Sequence, residues 1–196
     1  MKTLSSFVVL TVLATATLSQ LCAQPVPPPA APRPRVSPHD TISTYVGGDR
    51  RTGSLVTITY GRPYSARGGK GETRKIWGSL VPWGKADRLG ANEATLIVTQ
   101  VPIDFGGKVV PAGAYTLYII PSEDGVSKLA FSSNIGKWGI PVDETHDVAR
   151  FDLKKDTLSS SVDQLTIAIE GSDTGGVLKI AWETTQFSLP FTVKKS

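Results

Sequence analysis

Three groups of residues carry side chains whose types and spacing could do chemistry. The first is aromatic: Trp77, Trp83 and Trp138 are each followed by a glycine, at Gly78, Gly84 and Gly139. A glycine beside an indole removes local bulk and lets a ligand or a neighbouring backbone come close. Flat exposed rings suit stacking on sugar faces or on other aromatic ligands. The structural alternative is that the rings cap the open ends of a β-sandwich, with each indole N–H bonded to a carbonyl. The second group is the run Arg88-Leu89-Gly90-Ala91-Asn92-Glu93-Ala94-Thr95, which sets an amide and a carboxylate where the chain enters a strand. With Arg62 and Arg88 near in sequence, Glu93 could orient a polar ligand or act as a general acid/base. The alternative is a structural ion pair, in which an arginine offers its two-pronged donor to the carboxylate.

The third group is the repeated dipeptide His39-Asp40 and His146-Asp147, with Asp143 and Glu144 beside the second copy. Imidazole and carboxylate together bind a divalent metal or relay a proton. These copies fall at the start of the domain and in a loop, so the expectation is two surface histidines beside carboxylates, with no metal and no cofactor. The chain has no G-x-S-x-G elbow, no H-E-x-x-H, no phosphate-cradling G-x-x-x-x-G-K-[ST] and no dinucleotide glycine motif. Gly68-Gly69-Lys70-Gly71 is not followed by the helix whose N-terminus would hold a phosphate.

The elements that must position these residues are strands. From Thr41 onward the dominant period is two: Val56, Ile58 and Tyr60; Tyr115, Leu117 and Ile119; Leu165, Ile167 and Ile169; Leu178, Ile180 and Trp182; then Phe187, Leu189, Phe191 and Val193. Alternate strand side chains share a face, so each run offers an apolar face to a core. At Tyr118 and Ile120 the second face is apolar too, which places that strand centrally or under cover on both sides. Gly106-Gly107, Pro111-Ala112-Gly113, Ser122 to Gly125 and Gly171 to Gly176 punctuate the runs as hairpin turns. No long window has helical spacing, and one helical turn is the most that Pro141–His146 supports. The reading is an all-β, single-domain antiparallel β-sandwich of about ten strands. Pro190 falls inside a good strand, which argues for an edge or a bulge there. The glycine-rich excursion from Gly61 to Gly90 is long for a connection in a compact domain, and long ordered loops are disproportionately functional.

The 196 residues suit one domain with tails. Phe7 to Leu18 is an apolar run behind Lys2, too short to span a bilayer and right for an export signal ending near Ala23. Leu21 is too large for a lipoprotein site at Cys22. The mature chain is then free of cysteine, which excludes a disulfide framework and a cysteine nucleophile. Residues 24–38 hold seven of the fourteen prolines and read as a stiff polyproline spacer. The expected organisation is a signal peptide over 1–23, a linker over 24–38 and the sandwich over 39–196, in a periplasmic or secreted protein without a transmembrane segment.

Residues 24–90 carry eleven Lys/Arg against four Asp/Glu, a net of +7, whereas 91–196 carry nine against thirteen, a net of −4. The basic and acidic halves either pair with each other or leave the basic segment facing an anionic partner, such as an acidic glycan, a phosphate or a membrane surface. Nucleic acid is excluded as a partner by compartment and by the lack of a basic helix or aromatic-bearing sheet motif.

Five strings occur in order: Ser37-Pro38-His39-Asp40-Thr41, Thr59-Tyr60-Gly61-Arg62-Pro63, Lys75 to Gly84 (KIWGSLVPWG), Gly90-Ala91-Asn92-Glu93-Ala94-Thr95, and Pro111 to Leu117 (PAGAYTL). Together they resemble domain of unknown function family 2911, a family of exported bacterial proteins, from about Ser37 to the strand Phe187–Val193. The resemblance implies a secreted β-rich domain; it offers no activity and leaves the function open. Leu89 and the expanded Arg67–Arg74 stretch depart from the pattern. The function these residues favour is a non-catalytic binding or interaction module for a glycan or other small polar or anionic ligand. Its surface combines Arg62, Trp77, Trp83, Asn92, Glu93 and Trp138. The alternatives are a hydrolase or isomerase using Glu93 with Arg62 or Arg88, and a structural envelope protein that docks through its proline-rich arm.

Overall fold

A computed structural model describes residues 36–66 and 69–193. The expected signal segment, Cys22 and the linker as far as Arg35 lie outside the described residues. Ten strands follow in order: β1 His39–Val46, β2 Ser54–Gly61, β3 Thr95–Thr99, β4 Ile103–Asp104, β5 Val109–Val110, β6 Gly113–Ile120, β7 Lys128–Ser132, β8 Asp147–Asp152, β9 Lys154–Ser172 and β10 Gly175–Val193. A 3-10 turn over Glu144–His146 precedes β8, capped by the Asp143 carboxylate, which accepts from the Thr145 amide.

The strands form two sheets, ordered β1-β2-β3-β6-β7-β8 and β5-β4-β10-β9, and every ladder between them is antiparallel. The architecture is the two-sheet sandwich that the period of two predicts. After β3 the chain crosses to the second sheet for the β4–β5 hairpin, turning at Gly106-Gly107, and comes back as β6. It crosses again from β8 to β9. Val56, Ile58 and Tyr60 of β2, Leu117 and Ile119 of β6 and Leu178, Ile180 and Trp182 of β10 belong to one continuous buried cluster. Strand β6 lies between β3 and β7, and Tyr118 on its second face is also buried. That is the double cover its sequence implies.

The two runs Leu178–Trp182 and Phe187–Val193 belong to a single strand of 19 residues. Their apolar positions change parity between Trp182 and Phe187, and a one-residue slip turns every following side chain to the other face. An irregularity must therefore lie between them. It does: from Ala181 to Thr185 the partner strand covers nine steps, Thr166 to Thr157, against four, and Glu183 has φ 52°. Pro190 sits beyond Ser188, the last β10 residue paired with β9, and before Thr192, the first paired with β4. No ladder hydrogen bond is lost to it.

β9 is the end strand of its sheet, and side chains from the other sheet finish its free edge. Arg62 Nε donates to the Leu165 carbonyl at 3.1 Å, and the Tyr60 hydroxyl lies 3.0 Å from the Ile167 amide and 3.4 Å from its carbonyl. The Thr44 hydroxyl donates to the Ile169 carbonyl at 3.3 Å, and the Gly47 amide to that of Ser172 at 2.9 Å.

Candidate functional site

The long connection from β2 to β3 is anchored at three points. Beyond Gly61 it lies along β9: the Leu165 amide donates to the Pro63 carbonyl at 3.0 Å and the Ser65 amide to that of Asp163 at 2.6 Å. It then tightens into a turn in which the Val81 amide donates to Ile76 and the Gly78 amide to Val81. Gly78 has φ 82°, and a Cβ there would run into the Trp83 indole, so only glycine lets the second tryptophan fold back over the turn. Finally Asp87 exchanges two 2.8 Å hydrogen bonds with Ile119 of β6. The ladder of β3 on β6 stops at Thr95–Leu117, so Asp87 continues the position that β3 leaves vacant.

Between this connection and the two sheets lies a cavity of about 280 Å³. Trp77 and Leu89 line it from the connection, Ile119 from β6, Leu165 from β9 and Trp182 from β10. Five polar residues join this apolar wall: Ser37, Tyr64, Arg74, Asp87 and Arg88. Trp182 is 3% exposed, and its Nε1 has no hydrogen-bond partner among the described residues. A buried donor left unpaired costs about 1–3 kcal/mol, and this one is closed off from the cavity as well as from solvent.

Burial pushes the Asp87 carboxyl above the usual carboxylate range; the Leu89 amide on Oδ1 and the charge of Arg88 oppose the shift without cancelling it. Leu89 has φ 55° although it is not a glycine, and it is buried. Its strained backbone is held from both ends, by Asp87 Oδ1 on its amide and by the Thr95 hydroxyl on its carbonyl at 2.6 Å. The Arg88 guanidinium donates to the carbonyls of Gly90, Asn92 and Trp138 and lies 5.0 Å over the Trp138 ring. Arg74 likewise donates to the carbonyls of Ser65 and Tyr64.

A raised acid in the folded state binds its proton more tightly there than in the unfolded chain. Asp87 therefore contributes stability that is present below its unfolded pKa and lost as pH rises through its folded one. In Asp87→Asn the Oδ1 acceptor survives and the titration does not. Urea denaturation at pH 4 and pH 7 is expected to show a smaller acid-to-neutral loss of stability in this variant than in the wild type. An equal loss in both would mean that Asp87 is solvated.

The residues singled out by sequence are distributed as follows. Trp77 is buried, stacks on Trp83 with ring centroids 6.3 Å apart, meets Trp182 and Phe187 edge-on, and donates its Nε1 to the Trp182 carbonyl. Trp83 is half-buried with Lys155 5.2 Å from its ring, and Trp138 is 55% exposed. Arg62 pairs with Asp40 at 3.1 Å as well as bonding β9. Asn92 donates to the Ser37 carbonyl, and Glu93 pairs with His39 at 2.9 Å. Of Arg62, Arg88 and Glu93, Arg88 is the one in the cavity wall. His39 and His146 stand at opposite edges of the six-stranded sheet, beside β1 and β8. His146 pairs with Asp143, and Asp147 accepts from Tyr118 and Arg150. Among the described residues no group of three or more His, Cys, Asp or Glu gathers that could hold a metal.

Between described residues the ion pairs stay within the basic or the acidic half, except for His39–Glu93. Asp87, Trp182 and Arg74 were not among the sequence candidates. Trp182 reads as a plain inward strand position, and the parity break that follows it is the one local sign of irregularity. Asp87 shows only as an acid inside a basic segment.

The fold and cavity define a class: an antiparallel sandwich whose longest connection encloses a mixed apolar and polar cavity against both sheets. The sequence pattern of the family described as Protein of unknown function (DUF2911) matches residues 37–191, and the chain belongs to that family. No curated protein and no solved structure matches it. No helix among the described residues is long and apolar enough to cross a membrane.

Proposed function

We propose that the domain is a non-catalytic binding module of an exported protein, and that its ligand enters the cavity between the Gly61–Gly90 connection and the sheets. The supporting observation is a cavity of about 280 Å³ whose mostly apolar wall also carries the half-buried Asp87, Arg74 and Arg88. Pockets that hold small molecules are concave, mostly apolar and carry a few fixed polar groups. The exposed Trp138 beside Arg88 offers a second ring at the neighbouring surface, suited to a sugar or another flat polar group. Export rests on the apolar run Phe7–Leu18 and the small residues before Gln24; an exported form still beginning at Met1 would refute it.

A ligand panel of glycans, organic anions, alcohols and amines, read by calorimetry and indole fluorescence, tests the binding. At least one class is expected to bind with a change in fluorescence that Trp182→Phe weakens. Ligands that all bind equally well to wild type and Trp182→Phe would place the site elsewhere. No binding by any class would make the cavity a packing defect.

A further inference from the structure

Large apolar side chains stand exposed together around the cavity mouth: Val36, Leu80, Trp138 and Ile140. Val36, Leu80 and Ile140 line the cavity itself, and Ile140 lines a neighbouring one of about 210 Å³ together with Trp138. Exposed apolar residues are ordinary singly, but a group of them marks an interaction surface. This group comes from three segments: the chain entering β1, the β2–β3 connection and the loop between β7 and β8. That loop is held in place, because the Ala94 amide donates to the Lys137 carbonyl at 3.1 Å and Arg88 to the Trp138 carbonyl at 3.2 Å. Three lysines share the rim. Lys75, Lys85 and Lys137 are exposed and have no ion pair among the described residues. Each stands beside an apolar tip. The Lys75 carbonyl accepts from the Leu80 amide at 3.3 Å, Lys85 lines a surface hollow with Ile140, and Lys137 lines the second cavity with Trp138 and Ile140. The acids nearby do not cancel them. Asp143 and Glu144 are taken by His146 and Arg150, Asp87 is half-buried next to the Arg88 charge, and Glu72 is offset by Lys70 two residues before it.

We infer that this rim docks on an anionic lipid surface. Leu80, Trp138 and Ile140 enter the headgroup region, and Lys75, Lys85 and Lys137 lie against the lipid phosphates. An indole with aliphatic neighbours suits the boundary between headgroups and acyl chains. Lysine suits it too, since its long stem lies along apolar surface while the ammonium reaches a phosphate. The mixture favours a bilayer over a protein. The core of a protein interface is depleted in lysine, whereas basic residues interleaved with Trp, Leu and Ile are what an anionic membrane attracts. The tips stand on connections, so they can enter the lipid without disturbing either sheet. The inference is independent of what occupies the cavity.

The test is co-sedimentation of the whole chain with vesicles of phosphatidylcholine and phosphatidylglycerol in equal parts, and with vesicles of phosphatidylcholine alone. The apolar run Phe7–Leu18 is common to every variant, so it produces no difference between them. Binding to the anionic vesicles is expected to be tighter by about tenfold or more. It should weaken as salt rises from about 0.1 M to about 1 M, where the screening length shrinks from roughly 10 Å to roughly 3 Å. Lys75→Ala, Lys85→Ala and Lys137→Ala are each expected to weaken it about fivefold, the worth of one basic residue near such a surface. Trp138→Ala and Ile140→Ser replace exposed side chains, spare the core, and are expected to weaken it severalfold. Lys108→Ala, on the β4–β5 hairpin that pairs with the far end of β10, is expected to change nothing. Brominated lipid should quench the indole fluorescence of the wild type more than that of Trp138→Phe. Absence of binding to the anionic vesicles overturns the inference. So does binding that none of the five rim variants changes, or that Lys108→Ala weakens as much as they do. A chain that ignores both vesicles and self-associates until Trp138→Ala abolishes it also overturns the inference, with a second copy as the occupant.

Discussion

Trp77→Ala is expected to lower the stability of the domain by about 3–5 kcal/mol, the range for removing a large buried aromatic side chain. The indole meets Trp83, Trp182 and Phe187, and its N–H donates to the Trp182 carbonyl. Its removal opens a void next to an existing cavity and leaves that carbonyl unpaired. Urea denaturation followed by circular dichroism measures the loss. Trp138→Ala supplies the contrast: an exposed surface ring is expected to change stability by no more than about 0.5 kcal/mol. If Trp77→Ala cost no more than Trp138→Ala, Trp77 would have to face solvent and the account of the cavity wall would be wrong.

Gly61→Ala is the second large effect, at the upper end of the roughly 1–3 kcal/mol typical of overpacking. A Cβ at Gly61 would overlap the Ala91 carbonyl, which is backbone and cannot swing away. The Ala91 amide also donates to the Gly61 carbonyl at 3.3 Å, so the two segments are held face to face. The expected consequence is a displaced 88–92 loop, weaker ligand binding and lower stability together. Gly84→Ala isolates the steric part: Gly84 has φ 70° with open space around it, so that variant feels backbone strain and no clash. Equal losses in the two variants would show that contact with Ala91 is not what demands glycine.

The strands were legible because burial in a sandwich imposes alternation, which the runs ending at Tyr60 and Trp182 follow, while the run ending at Ile119 is buried on both faces. The hairpins were legible because Gly106-Gly107 and Gly171 to Gly176 mark tight reversals. The extent of β9 was not, because its first half, from Lys154 to Asp163, is largely exposed and carries no apolar alternation. Within the site, the excursion and Arg88 stood out by glycine content and charge. Asp87 and Trp182 did not, since what distinguishes them is environment: one is an acid carried into a sheet line by two backbone bonds, the other an indole left without an acceptor. Trp77, Gly61 and Ala91 lie in strings that resemble the family. The structure gives those strings a shared physical task, since two of them touch where Gly61 meets Ala91.

The capped flank of β9 bears on solubility. Exposed edge strands recruit foreign chains through rows of vacant amides and carbonyls, the usual start of strand addition and fibril growth. Over Leu165–Ser172 those rungs are already taken by a guanidinium, two hydroxyls and an amide from β1 and β2 and the residues that follow them. An intruding strand would have to evict them one by one, so this stretch resists templated self-assembly without relying on charge or a proline.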